Sequence, residues 1–99
     1  MMIVMGTFRV PAANIPAILP AMERVVSATR AEDGCLLYAY SQDVFDPELI
    51  HVSEKWRDRA ALAAHFKAPH MTAWVKERAA FGLFDRQIRL FETDDGEAV

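Results

Sequence analysis

The strongest constraint on what this chain can fold into is the order in which the spacing of its apolar residues changes. From Met2 to Val10 the spacing is two. Ile3, Met5 and Thr7 face one way and Val4, Phe8 and Val10 the other, which predicts a strand. From Asn14 to about Ala31 the spacing becomes three and four. Ile15, Ile18, Leu19, Met22, Val25, Val26 and Thr29 then share one face of a helix that Asn14 is placed to cap. Pro16 falls in the first turn, where a missing N–H costs little, while Pro20 lies deeper and is expected to bend the start. Glu32-Asp33-Gly34 stops the helix with a turn. Two further strands follow, Cys35 to Gln42 and Leu49 to Trp56, joined by a turn through Asp46-Pro47. In the second of these Ile50, Val52, Glu54 and Trp56 take one face, and Leu49, His51, Ser53 and Lys55 the other. Asp58 is placed to cap a short helix from Arg59 to Phe66. Lys67-Ala68-Pro69 breaks it, a second helical piece runs from His70 to Phe81, and a last strand spans Leu83 to Thr93 before an acidic tail expected to fray.

Strand, helix, strand, strand, helix, strand is the order of a four-stranded antiparallel sheet with its helices on one face, the ferredoxin-like α+β arrangement. Ninety-nine residues suffice for one such domain, residues 1–99, and not for two with separate cores. The face of the sheet away from the helices carries Leu49 and His51 with apolar neighbours from adjacent strands. A half-apolar open face needs a cover, and a second copy of the chain is the simplest one, so a homodimer is expected.

Charge and composition remove several classes. Fourteen acidic against eleven basic residues leave a net charge of −3, which does not suit a phosphate backbone, so no nucleic-acid partner is expected. The uncharged stretch Val10 to Met22 is too short, and too interrupted by prolines, to span a bilayer. No basic region precedes the first apolar run, so no secretory signal is read, and the single cysteine, Cys35, suits a reducing compartment. A cytoplasmic protein with no membrane partner is the expectation.

Few residues carry chemistry. The histidines are His51, His65 and His70. The last two lie five apart with Pro69 between them, so one continuous helix face does not present both, and no metal site is expected. The four glycines are too scattered to cradle a phosphate, so no nucleotide or flavin is expected, and the cofactor list is empty. Cys35 reads as small core filler. The informative stretch is Glu54-Lys55-Trp56 followed by His65. Trp56 ends a strand on the helix-facing side and His65 lies on the helix that covers it. The two are therefore expected to meet over an apolar pocket that also receives Trp74 or Met71. Aromatic walls with one imidazole suit a flat aromatic ligand and a proton transfer near neutral pH, although the spacing alone favours a core tryptophan beside a hydrogen-bonded interior histidine. Glu54 is expected in a cross-strand or interface ion pair, and Arg86 and Arg89 in solvated or interface pairs.

The run Gly34-Cys35-Leu36-Leu37-Tyr38, then Pro47, then Ser53-Glu54-Lys55-Trp56, continuing through Leu62-Ala63-Ala64-His65-Phe66-Lys67-Ala68-Pro69-His70-Met71, resembles the antibiotic-biosynthesis monooxygenase family. The closing strand Gln87-Ile88-Arg89-Leu90-Phe91 fits as well, and the resemblance covers almost the whole chain. It implies a dimeric α/β barrel with a pocket in each subunit between sheet and helices. It also implies oxidation of a quinol or a related aromatic by O2 without metal or flavin, the substrate being the reductant. On that likeness Trp56 is the aromatic wall, His65 the base, and Tyr38 a hydrogen-bond partner for a ring oxygen. His70, Trp74 and Met71 are further substrate-binding positions. The anthrone-oxidising branch has an asparagine and a tyrosine where Val52 and Leu62 stand, and the heme-degrading branch has residues this chain lacks, so the nearer likeness is to small quinol monooxygenases. Members acting on a phosphorylated quorum-sensing sugar derivative share His65 and Pro69-His70 but carry tyrosine in place of Trp56. An isomerase of that kind, or a non-catalytic dimer that binds a small apolar ligand, is the alternative.

Overall fold

In the computed structural model, which describes residues 1–99, the sheet is built from β1 (Met2–Arg9), β2 (Cys35–Gln42), β3 (Leu49–Trp56) and β4 (Phe84–Glu92). The helices are α1 (Ile15–Arg30), α2 (Arg59–Phe66) and α3 (Pro69–Ala80), with a 3₁₀ turn at Ala12–Asn14. All neighbouring strands are antiparallel in the order β2-β3-β1-β4, the ferredoxin-like topology expected from the spacing. β2, β3 and α2 keep the ranges read from the sequence.

Two helix starts differ from expectation for local reasons. Asn14 ends the 3₁₀ turn with helical backbone angles, and its side chain does not cap α1. Its amide Nδ2 instead donates to the Phe81 carbonyl at 2.8 Å, tying the start of α1 to the end of α3. Pro69, expected to break a helix, begins one: it is the first residue of α3, where its missing N–H has no intrahelical partner to lose. Asp58 caps α2 as expected, its Oδ1 accepting from Ala61 N at 2.8 Å.

Strand register decides what is covered. Met2, Val4 and Phe8 of β1, Tyr38 of β2, and Ile50, Val52, Glu54 and Trp56 of β3 are all buried under the helices. On the opposite face Met5, Leu37 and Phe91 are 55, 46 and 48 % exposed. β4 is an edge strand, half-buried only at Ile88. Its backbone approaches β1 so closely at Gly6 that a Cβ there would lie 2.0 Å from the Gln87 carbonyl oxygen, and this approach brings Ile88 over the helix-covered face. Beneath the helices lie two apolar clusters. One gathers Phe8, Val10, Ile18, Met22, Val25, Ile50, Val52 and Trp74 between α1, α3 and the sheet; the other gathers Met2, Val4, Tyr38, Trp56, Ala61 and Leu62 beneath α2. No helix is long and apolar enough to cross a membrane.

Candidate functional site

The second cluster is where polar groups enter the interior. His65, on the last turn of α2, is 1 % exposed and lies against the Trp56 ring, with centroids 4.7 Å apart, and against the edge of Tyr38 at 5.4 Å. Its Nδ1 is 2.6 Å from Glu32 Oε2. A carboxylate only accepts, so Nδ1 carries the proton; Nε2 has no protein partner and is the ring's free lone pair. The same Oε2 lies 2.8 Å from Nε2 of His70, on the first turn of α3. His65 and His70, which cannot share one helix face, are brought together because the chain turns between α2 and α3. Glu32 reaches both from the turn after α1. That turn packs against α2 at Gly34, whose φ of +82° and lack of a side chain are both required: a Cβ there would lie 2.6 Å from that of Ala61.

Burial pushes the His65 imidazole below its ordinary range. The Glu32 hydrogen bond and charge oppose that shift, and the nearby His70 adds to it. His65 is therefore neutral near pH 7 and able to take a proton. Glu32, His65 and His70 also form the one grouping with metal-ligand character, their ligand atoms lying within 4.8 Å of one another. A divalent ion held there would displace both hydrogen bonds to Glu32.

Beside His65 opens a cavity of about 200 Å³ between the sheet and the ends of α2 and α3. Its apolar wall includes Val4, Phe8, Val52, Met71 and Ile88; its polar wall holds Tyr38, Tyr40, Glu54, His65, Arg78, Arg86 and Arg89. Of the residues expected to bind substrate, Tyr38 and Met71 line it. The Tyr38 hydroxyl is engaged with that of Tyr40 at 2.8 Å, and burial raises the pKa of the phenol.

Three of the expected site residues lie outside the cavity wall. Trp56 is fully buried and does not line the cavity; it stands behind His65 as support, its Nε1–H donating to Glu54 Oε1 at 2.9 Å. Trp74 lies in the first apolar cluster against Phe8 and Tyr40, because its position on α3 faces the middle of the sheet. His70 turns to Glu32 and does not reach the cavity. Glu54 is likewise in no ion pair: it is 8 % exposed and bonded to Trp56. Burial raises its pKa against that bond and the charge of Arg86.

Two residues of the site escaped the sequence reading. Glu32 was legible only as a turn residue, since its partners lie 33 and 38 positions away. Arg78 did leave a signal: four residues after the buried Trp74, it shares that face of α3.

The architecture recurs in solved structures. A protein of Deinococcus radiodurans provisionally named an antibiotic biosynthesis monooxygenase is 27% identical, with a TM-score of 0.92 over 100% of this chain and 98% of its own. A structure named an antibiotic biosynthesis monooxygenase is 29% identical, with a TM-score of 0.85 over 95% and 99% of the two chains. A Pseudomonas aeruginosa protein is 26% identical, with a TM-score of 0.79 over 93% and 92%. An uncharacterised protein of Synechocystis sp. is 27% identical over 75 residues, 76% of this chain, which spans about half the length of that curated relative. The family model for antibiotic biosynthesis monooxygenases matches residues 1–77, more than three quarters of the sequence, and the chain belongs to that family.

Proposed function

We propose that the protein is a cofactor-independent monooxygenase that oxidises a quinol or related phenolic aromatic with O2. The observation that carries this reading is the setting of His65: Nδ1–H held by Glu32, Nε2 free, and the ring at the wall of a largely apolar cavity. Nε2 takes the proton of a phenolic hydroxyl, and the Nδ1–H···Glu32 bond stabilises the imidazolium that results. The phenolate is electron-rich and passes electrons to O2. One oxygen atom bonds to ring carbon and the other leaves as water, the ring supplying all the electrons as it becomes a quinone. The protein binds the ring, excludes water and holds the proton; the arginines of the cavity stabilise the anion. Trp56 acts through His65 as a positioning residue. The apolar side chains of the open sheet face, Met5, Leu37 and Phe91, support a homodimer formed through that face.

The arginines also favour a second reading, oxygen-free isomerisation of a phosphorylated sugar derivative by the same base. Oxygen uptake by metal-stripped protein separates the two. With a panel of quinols, wild type should exceed autoxidation and His65→Gln should fall on the order of 10² or more below it. Background rates for wild type across the panel, with turnover of a phosphorylated sugar derivative under nitrogen, would replace the first reading by the second.

A further inference from the structure

The chain's eight arginines divide cleanly. Arg9, Arg24, Arg57 and Arg59 are ion-paired with Asp46 and Asp85, Glu77, Asp33 and Asp58, and Glu92, respectively. Arg30 donates to the Tyr38 carbonyl at 2.8 Å. The three that remain, Arg78, Arg86 and Arg89, have no carboxylate within 4.0 Å, and all three line the cavity beside His65.

In a chain with more acidic than basic residues, chance does not favour gathering the unpaired arginines at one cavity. Nor is the grouping neutral in energy. Burial and the charge of Arg86 together hold the Arg78 guanidinium below the usual arginine range. The one carboxyl in the wall, Glu54, is occupied by Trp56 Nε1–H, and its burial favours the uncharged form. Like charges held together at a concave wall are relieved by an anion, and a guanidinium meets a carboxylate or phosphate with two parallel N–H donors.

The volume sets a second limit. At about 30 Å³ per water in the liquid, 200 Å³ corresponds to roughly seven waters, and a single benzene ring is accommodated in about 150 Å³. One ring with a small substituent fits within it.

We propose that the cavity takes a one-ring phenol or quinol bearing an anionic group, a carboxylate or a phosphate, with Arg78 and Arg86 holding the anion and His65 facing the phenolic oxygen. The anion's place depends only on the arginines; the phenolic oxygen's place rests on the reading of His65 given above.

Binding measured without oxygen tests the anion separately from turnover. Calorimetric titration of the full chain with 2,5-dihydroxybenzoate and with hydroquinone should show the acid bound at least tenfold more tightly at low salt. That advantage should shrink as salt is raised. Arg86→Gln and Arg78→Gln, each checked for folding by circular dichroism, should each reduce the advantage severalfold, and Arg86→Lys should restore part of it. Benzoate against phenyl phosphate then assigns the group as carboxylate or phosphate. Equal binding of 2,5-dihydroxybenzoate and hydroquinone would overturn the proposal even if both are oxidised. A tenfold preference for the acid with no oxygen uptake above autoxidation would keep the anion site and sink the monooxygenase reading.

Discussion

The two apolar clusters sit side by side under the same helices and are built by different rules. Around Trp74 the side chains are hydrocarbon almost throughout, drawn from β1, β3, α1 and α3. Around Trp56, Glu54, His65 and the Tyr38 hydroxyl intrude, each with a named partner: Trp56 Nε1, Glu32 and the Tyr40 hydroxyl. Packing accounts for the first cluster, whose residues bury area and bring in a single polar side-chain atom, the indole nitrogen of Trp74. The second carries a desolvation cost that apolar side chains of similar volume would not incur. On the function proposed above, the Trp74 end serves stability and the Trp56 end serves chemistry.

The largest effect that can break this division comes from truncating the apolar end. Trp74→Ala should cost about 3–5 kcal/mol of stability, read from a urea melt, because the site cannot close around so large a void. Turnover per folded molecule should change little, since Trp74 does not line the cavity. Loss of turnover in protein shown to be fully folded would end the division of labour.

A smaller effect sharpens the other side of the comparison. Glu32→Gln keeps the shape and removes the charge that favours imidazolium at His65. The rate should fall on the order of tenfold with KM nearly unchanged. The carboxylate raises the His65 pKa against burial, so its removal should also move the acid limb of the pH–rate profile to lower pH. A residue holding only the turn would lower the melting temperature and leave that limb in place.

How much of this could be read in the sequence follows the same boundary. The apolar end was legible because periods of two and of three to four report burial directly: Phe8, Ile18, Met22, Val25, Ile50 and Val52 are buried as their spacing requires. Leu19, on the expected face of α1, is 49 % exposed, because the buried stripe shifts to take in Ala21. The site was legible only where it borrowed that periodicity. His65 and Trp56 fell on covered faces and do meet. Trp74 also fell on a covered face, yet in the other cluster, since periodicity gives the face and not the position along the sheet. Glu32 carried no signal, because a hydrogen bond between a turn and two helix ends depends on tertiary placement. The lack of partners at Arg78, Arg86 and Arg89 is equally invisible until the rest of the fold is in place.

The smallest test concerns Glu54, whose buried carboxyl is the clearest cost in the Trp56 cluster. Burial raises its folded pKa above that of the unfolded chain, so the folded state binds more protons between the two values. Stability therefore falls as pH rises through that window, starting from the ordinary carboxylate range. Glu54→Gln removes that cost while its amide oxygen still accepts from Trp56 Nε1–H. At pH 7 the variant should therefore melt at a higher temperature than wild type. At pH 4, where the wild-type carboxyl is already protonated, the gain should vanish. A gain that persisted unchanged at pH 4 would mean that the variant repacks the cluster rather than removing a charge. The polar intrusion at the Trp56 end would then lose its electrostatic explanation.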